Sequence, residues 1–350
     1  MARLDMNSTQ HLPPFRFRRG FGLALTAATG LLAVASSVQA AASPVAHKKV
    51  PPVSGSITVY AALTTQGGQG FAAAFKSAYP GVTVNMVTGG TGALATQLAA
   101  QQQSGHVQAD VVLFADPTDM DSLASEGILS SWEPSLSGRK IPPGYSGKDW
   151  VGAFTFEMVL LEHPGMANPP QSWSALNSSA LQGQLAIGSA SYSGTTFGWA
   201  AELHTLFGWK YFQTLKSNGV RVEQSTTTVG TDVASGKDQV GVTLDSVGRS
   251  LLAQGANVSM VWPSDGSVPS PATVGITKAS ANTPAAKAFV TWMLSRQGQV
   301  EAAKLGYDAA YFGAKPANPM PTHEKQLNVS WDRITTNKTS ILSGFAGIFG

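Results

Sequence analysis

Three clusters of glycine and hydroxyl residues stand where an apolar run ends and a helix-like stretch begins. They are Thr64-Thr65-Gln66-Gly67-Gly68, Thr88-Gly89-Gly90-Thr91-Gly92 and Ser191-Tyr192-Ser193-Gly194-Thr195-Thr196. The first turn of a helix carries N–H groups with no intrahelical partner and a partial positive charge. Such an end holds an anion without Lys or Arg. Glycine lets the anion approach the backbone, and Ser and Thr add donors. The candidate ligand-binding residues are Thr64, Thr65, Gly89, Gly90, Thr91, Gly92, Ser193, Gly194 and Thr195. Each has a plainer role beside it: Thr64 and Thr65 as caps of a helix near Gln69, and the glycines as a tight strand–helix turn.

Further side chains extend this set. Asp245 directly follows an apolar run, placed to accept hydrogen bonds from a ligand amine or hydroxyl or to cap a helix starting at Ser246. Asp116 and Asp119 precede a helix, as caps more often do than ligands. Tyr192 offers a stacking face, Thr243 ends a strand, and Trp262, Asp265 and Ser267 lie in an irregular segment. Asp116, Asp119 and Asp245 are also the carboxylates a hard metal ion would use, which is the lesser reading.

Other chemistries lack their residues. The chain has no cysteine, which removes zinc–thiolate sites, iron–sulfur clusters and Cys nucleophiles. The six histidines show no metal-ligand spacing, and no Gly-x-Ser-x-Gly elbow occurs. The stretch Gly230 to Gly236-Lys237-Asp238 has one residue too many for a nucleotide-phosphate loop and lacks the final hydroxyl. Glu157 and Glu162 are carboxylates of the kind a hydrolase uses, but a surface or domain-edge role is the ordinary expectation. No catalytic residue, metal or cofactor is expected, and the chain reads as a binding protein rather than an enzyme.

The elements that position these clusters alternate in type. Ile57–Tyr60, Val82–Val87 and Val111–Phe114 read as strands, with helices around Gln69–Ala78, Ala93–Gln103 and from Asp119. The pattern returns at Leu185–Ile187, a helical region Phe197–Ser217 broken near Gly208, and strands Val220–Glu223, Val240–Leu244 and Val258–Val261. Between them lie helices around Val229–Ser235 and Ser246–Ala253. Pro263–Pro271 reads as irregular, followed by strand Val274–Thr277 and helix Pro284–Leu294. The expectation is an α/β fold of two lobes with parallel sheets, the clusters at the carboxyl ends of strands and the site in the cleft between lobes.

Residues 1–40 read as an export signal: Arg16, Arg18 and Arg19, then an uncharged apolar stretch from Gly20 to Val34, then Val38-Gln39-Ala40 as a cleavage site. Arg18-Arg19-Gly20-Phe21 is similar to a twin-arginine signal. Residues 41–55 read as a flexible leader. The signal holds four Arg and one Asp, so 19 of the 23 basic and 19 of the 20 acidic residues remain after cleavage near Ala40. That balance gives no basic face for nucleic acid.

The order of these segments resembles a known family. It runs from Ile57–Tyr60 through Thr88–Leu94, Ala109-Asp110-Val111-Val112, Pro170-Gln171-Ser172-Trp173-Ser174-Ala175-Leu176 and Ser193-Gly194-Thr195. It continues through Val240-Gly241-Val242-Thr243, Val261-Trp262-Pro263-Ser264-Asp265-Gly266 and Phe289–Gln299 to the segment Val329–Phe349. The chain resembles the solute-binding proteins of ABC importers, in the branch of ferric-iron, thiamine, phosphonate and hexose-phosphate receptors. That resemblance implies a type II periplasmic binding protein-like fold with an interdomain cleft and cross-over hinge strands near Trp150–Thr155 and Val261–Val274. It implies lobe 1 from 56–150 plus about 262–350, lobe 2 from 151–261, and a monomer in the periplasm. It also implies a permease and an ATPase as partners. Ferric-iron receptors of this branch carry adjacent tyrosines where this chain has Ser246 and Val247, and some carry a histidine where Thr64 falls. The expected ligand is a small anion, a phosphate ester or phosphonate whose tail Asp245 reads. Iron, thiamine or a thiamine phosphate, and an inorganic oxyanion are the alternatives.

Overall fold

The computed structural model describes residues 52–132, 134, 136 and 140–350. The export segment 1–40 and the leader as far as residue 51 lie outside the described residues.

The first part of the chain alternates as its apolar periodicity requires: β1 Gly55–Ala61, α1 Thr65–Ala78, β2 Val82–Thr88, α2 Thr91–Gln103, β3 Val111–Phe114 and α3 Pro117–Ser125. Helices α1 and α2 start earlier than expected, at Thr65 and Thr91 rather than Gln69 and Ala93. The Gly/Thr residues form the first turn because Thr64 caps it: its Oγ1 accepts from Gly67 N at 3.1 Å. The short β4 Ser146–Gly147 then leads into β5 Trp150–Glu162, 13 residues that are all buried.

The second part repeats the alternation with β6 Leu185–Gly188, α4 Gly194–Phe207, α5 Trp209–Ser217, β7 Arg221–Glu223, α6 Thr226–Ala234, β8 Val240–Leu244, α7 Asp245–Ala253 and β9 Ser259–Val261. The break between α4 and α5 falls at Gly208, whose φ of 69° lies in the region glycine favours. The chain returns through β10 Val268–Ile276, α8 Thr283–Met293, α9 Arg296–Lys304, β11 Asp308–Ala309 and α10 Trp331–Phe349.

The main path of the sheet runs β2-β1-β3-β10-β5-β8-β6-β7. The three strands at one end and the three at the other are parallel within each group. Between them β10 and β5 run antiparallel to their neighbours, so both ends share one hydrogen-bonded ladder and the sheet is mixed rather than parallel. Strand β10 corrects the reading of Pro263–Pro271 as irregular throughout. Pro269 and Pro271 pair only with β5, and the ladder to β3 begins at Thr273, so neither proline faces a second strand with its missing N–H. Helix α10 packs against α3, α4 and α5, and ion pairs Lys338–Asp119 and Arg333–Glu202, each 2.6 Å, fasten it to both ends of the molecule.

Candidate functional site

A cavity of about 280 Å³ opens at the carboxyl ends of β1, β2, β3, β6 and β8. Its wall brings together Thr64, Thr65, Gly89, Gly90, Thr91, Tyr192, Ser193, Gly194 and Thr195, nine of the residues singled out in the sequence. The three clusters therefore do meet. Their meeting follows from strand order: β1 and β2 are neighbours at one end, and β6 faces them from the other, so their following turns point into one space.

The backbone around the cavity is the start of four helices, not three. The fourth is α6, whose Ser225, Thr226 and Thr227 complete the wall. Its legible signal is a run of four hydroxyl residues, Ser225-Thr226-Thr227-Thr228, one residue after a strand. Without a glycine this run gave no reason to expect close backbone approach. In α1, α4 and α6 the capping oxygens of Thr64, Ser193 and Ser225 accept from the third amide of the helix: Gly67, Thr196 and Thr228, at 3.1, 3.3 and 3.1 Å. The first two amides of a helix lack an intrahelical acceptor by construction. Both residues line the cavity in α4 (Gly194, Thr195) and α6 (Thr226, Thr227), and the first alone in α1 (Thr65) and α2 (Thr91). None of the described lining residues carries a formal charge. The positive potential comes from the helix ends, about half an elementary charge each.

Several hydrogen bonds fix the floor. Thr91 Oγ1 accepts from Ala115 N at 3.1 Å, while Ser270 Oγ donates to Ala115 O at 2.5 Å. Thr273 Oγ1 reaches the carbonyls of Phe114 and Asp116 at 3.1 and 3.2 Å. The crossing strand β10 thus pins the turn after β3. Thr64 Oγ1 is also hydrogen-bonded to the buried Tyr307 hydroxyl, whose pKa burial raises.

Other expected residues sit elsewhere. Asp245 does not line the cavity. It is fully buried, with Oδ1 accepting from Glu157 N at 3.1 Å and Ser246 N at 2.8 Å, and Oδ2 taken by Arg249 at 2.6 Å. Its carboxylate is consumed by the fold, so the structure gives it no tail to read. Thr243 is fully buried and donates to Thr226 O at 2.6 Å, holding α6 in place from behind. Asp265 accepts from the one backbone amide of Trp173 with both carboxylate oxygens, at 2.9 and 3.1 Å, and organises that loop. Trp262 lies against Arg249, 5.9 Å from guanidinium carbon to ring centre. Trp199 is fully buried against Trp173 and Phe212 and offers no stacking face to a ligand. Gly92 lines a second, smaller cavity of about 210 Å³ with Asp116, Asp119 and Lys338. Glu157 is buried in mid-strand rather than at a surface or domain edge. It accepts from Ser267 Oγ at 2.8 Å and from Gln326, and burial pushes its pKa up to about 8.

The two ends of the molecule touch across the cleft. Gly92 N donates to Tyr192 O at 3.0 Å, and the ring of Tyr192 fills the space that a Cβ at Gly90 would need. The glycines of this turn therefore admit a neighbouring loop, where the sequence pointed to admission of an anion.

The comparisons with known proteins fit this architecture. The family model described as "Bacterial extracellular solute-binding protein" matches residues 61–300. An uncharacterized protein of Haemophilus influenzae is 25% identical over 319 residues, covering 86% of this chain and 88% of that protein. Among solved structures, the periplasmic binding protein AfuA from Actinobacillus pleuropneumoniae, bound to exogenous fructose-6-phosphate, has a TM-score of 0.76 at 21% identity, over 85% of this chain and 99% of its own. Iron-bound HitA from Pseudomonas aeruginosa scores 0.73 at 21% identity, over 85% and 99%. A periplasmic thiamin binding protein scores 0.74 at 17% identity, over 85% and 97%. Members of the family bind solutes for transport and work with an ABC permease and ATPase. With the mixed α/β sheet, the helix-ended cleft and the match over most of its length, the chain belongs to the bacterial extracellular solute-binding protein family.

Proposed function

We propose that the cavity captures a small anionic solute, a phosphate ester or phosphonate, between two lobes spanning 56–150 plus about 262–350 and 151–261. The observation that carries this reading is the convergence of four helix N-termini on a wall without formal charge. At about half a charge each they sum to roughly two positive charges, the complement of a phosphoryl dianion. The volume lies near the lower edge of small-molecule sites, about 300–1,000 Å³.

Asp245 is turned into the fold, so the tail of the solute meets Thr65, Thr88, Ser225 and Thr227 instead. These are neutral donors and acceptors, which favours a neutral, hydroxylated tail over an ammonium. Ferric iron is disfavoured because the wall offers one phenol, Tyr192, and no carboxylate. Thiamine would find that ring alone as a stacking surface, since Trp199 and Trp262 face elsewhere.

A thermal-shift series on the chain from residue 41 tests this. Sugar phosphates, a phosphonate, inorganic phosphate, thiamine and ferric citrate would be compared at equal concentration. The expected result is a raised melting temperature with a phosphoryl compound, by about 2.7 kcal/mol of stabilisation at a hundred times its Kd. A shift with thiamine or ferric citrate and none with any phosphoryl compound would reject the reading.

A further inference from the structure

Asp116 is fully buried at the start of α3. Its Oδ1 accepts from Thr118 Oγ1 at 2.7 Å and Asp119 N at 3.1 Å, but its Oδ2 has no hydrogen-bond partner. That oxygen occupies the space a Cβ would need at Gly194, the first residue of α4, which belongs to the opposite end of the sheet. The contact is the mirror of the one at Gly90. A glycine from one side of the cleft receives a side chain from the other in both places: Gly90 receives Tyr192, and Gly194 receives Asp116.

An ionised carboxylate oxygen facing a methylene with no donor is costly, and the cost arises when the two sides meet. We propose that Asp116 is a positioning residue of the cleft whose outer carboxylate oxygen takes up a proton as the two lobes join, so that closure is favoured by acid. No bond is broken in this step: solvent supplies the proton, and the carboxylate becomes the neutral acid. The residue acts on solute capture through Gly194 and the α4 turn, without touching the solute cavity.

The surroundings of Asp116 agree. Burial is the main cause that pushes its pKa up, to about 6, and Asp119 on α3 adds to it. Lys338 on α10 opposes this but is committed to Asp119 at 2.6 Å. The residues that α2 and α4 present to the same small cavity are Gly92, Ala95, Thr96, Gly194 and Phe197, none of them titratable. On β10, Thr273 donates only to the backbone carbonyl of Asp116. With an ordinary carboxylate value in the separated state, the ratio of joined to separated molecules rises about tenfold between pH 7 and pH 5.

This inference rests on the proposed capture of a solute between two lobes, to which it adds that they separate and join, and not on the identity of the solute. The chain has no native cysteine, so Lys76→Cys on α1 and Thr231→Cys on α6, both exposed, give a clean pair of labelling sites. Energy transfer between two dyes would be measured at pH 5 and pH 7 without any solute. The expected result is a shift to shorter distance at pH 5 in the parent. Asp116→Asn keeps the cap on α3 and is expected to give the same short distance at both pH values. An unchanged distance in the parent, or the same pH response in Asp116→Asn, overturns the proposal. Because no solute enters the measurement, failure of the phosphoryl reading would appear only in the thermal-shift series.

Discussion

Arg249 Nη1 lies 2.6 Å from Asp245 Oδ2, one helical turn away on α7, and both side chains are withdrawn from water. The same guanidinium reaches Gly306 O at 2.7 Å, Asp308 Oδ2 at 3.1 Å and Asn318 O at 3.1 Å. One side chain thus ties α7, near the cleft, to the segments after α9 and β11.

Breaking this pair from one side should be severe. Arg249→Met leaves a buried carboxylate with no cation, an expected loss of about 3–5 kcal/mol, read as a lower urea midpoint. The double variant Asp245→Asn/Arg249→Met removes both charges and should recover part of that loss. A double variant less stable than Arg249→Met would show that the charge pair is not the cause.

Two hydroxyls of the cavity separate binding from folding. Thr227 is exposed at the wall and has no fold-holding hydrogen bond, so Thr227→Val should weaken binding of a phosphoryl compound by about 1 kcal/mol and leave stability within about 0.5 kcal/mol. Thr91→Val also strands Ala115 N, so it should lower stability by about 1–3 kcal/mol besides weakening binding. Calorimetric titration alongside urea unfolding would distinguish the two. Equal stability losses would contradict the assigned roles.

Gly90 adopts φ −73° and ψ 148°, extended backbone open to any residue. Gly90→Ala therefore strains nothing in its own backbone and acts through Tyr192, whose ring and carbonyl oxygen both occupy the space of the added methyl. Displacing that ring should weaken binding of a phosphoryl compound about tenfold, near 1.4 kcal/mol, with the melting temperature little changed. Tyr192→Ala in the same background should relieve the part of the Gly90→Ala effect that comes from the ring and leave the part that comes from the Tyr192 carbonyl.

Stability should fall as pH rises from 5 to 8. Burial raises the folded-state pKa of Glu157 to about 8 and that of Glu162 to about 7. A raised carboxyl means that the folded state binds more protons, so this contribution is fully present below the ordinary carboxylate range and lost as pH climbs through the folded value. Glu157→Gln should flatten the slope between pH 5 and 8 in urea titrations. A slope of unchanged steepness in that variant would place the linkage elsewhere.

Strand Val240–Leu244 was read from sequence with its exact limits, and Val111–Phe114 likewise, because short runs of buried apolar residues bounded by polar ones have few alternatives. Helix starts were harder. The first turns of α1 and α2 are built largely from glycine and threonine, poor helix formers in mid-helix. The Thr64 cap makes the first helical, and the tertiary setting alone the second, whose N-cap Gly90 has no side chain. The strand β10 was hidden by its own prolines, which are tolerated because one flank of the strand is unpaired there.

The amino-acid order alone determined the alternation of strands and helices, the chemistry excluded by absent cysteine, and three of the four helix ends that would face an anion. Those properties are local, fixed by side-chain type and spacing within a few residues. Only the tertiary structure decided that Asp245 belongs to Arg249, that Ser225–Thr227 joins the cavity, and that Gly90 and Gly194 receive Tyr192 and Asp116. The last two join residues far apart in the chain. The first, though its partners are one helical turn apart, is settled by the distant Glu157, Gly306 and Asp308 packed around it. All depend on the path the crossing strands give the backbone.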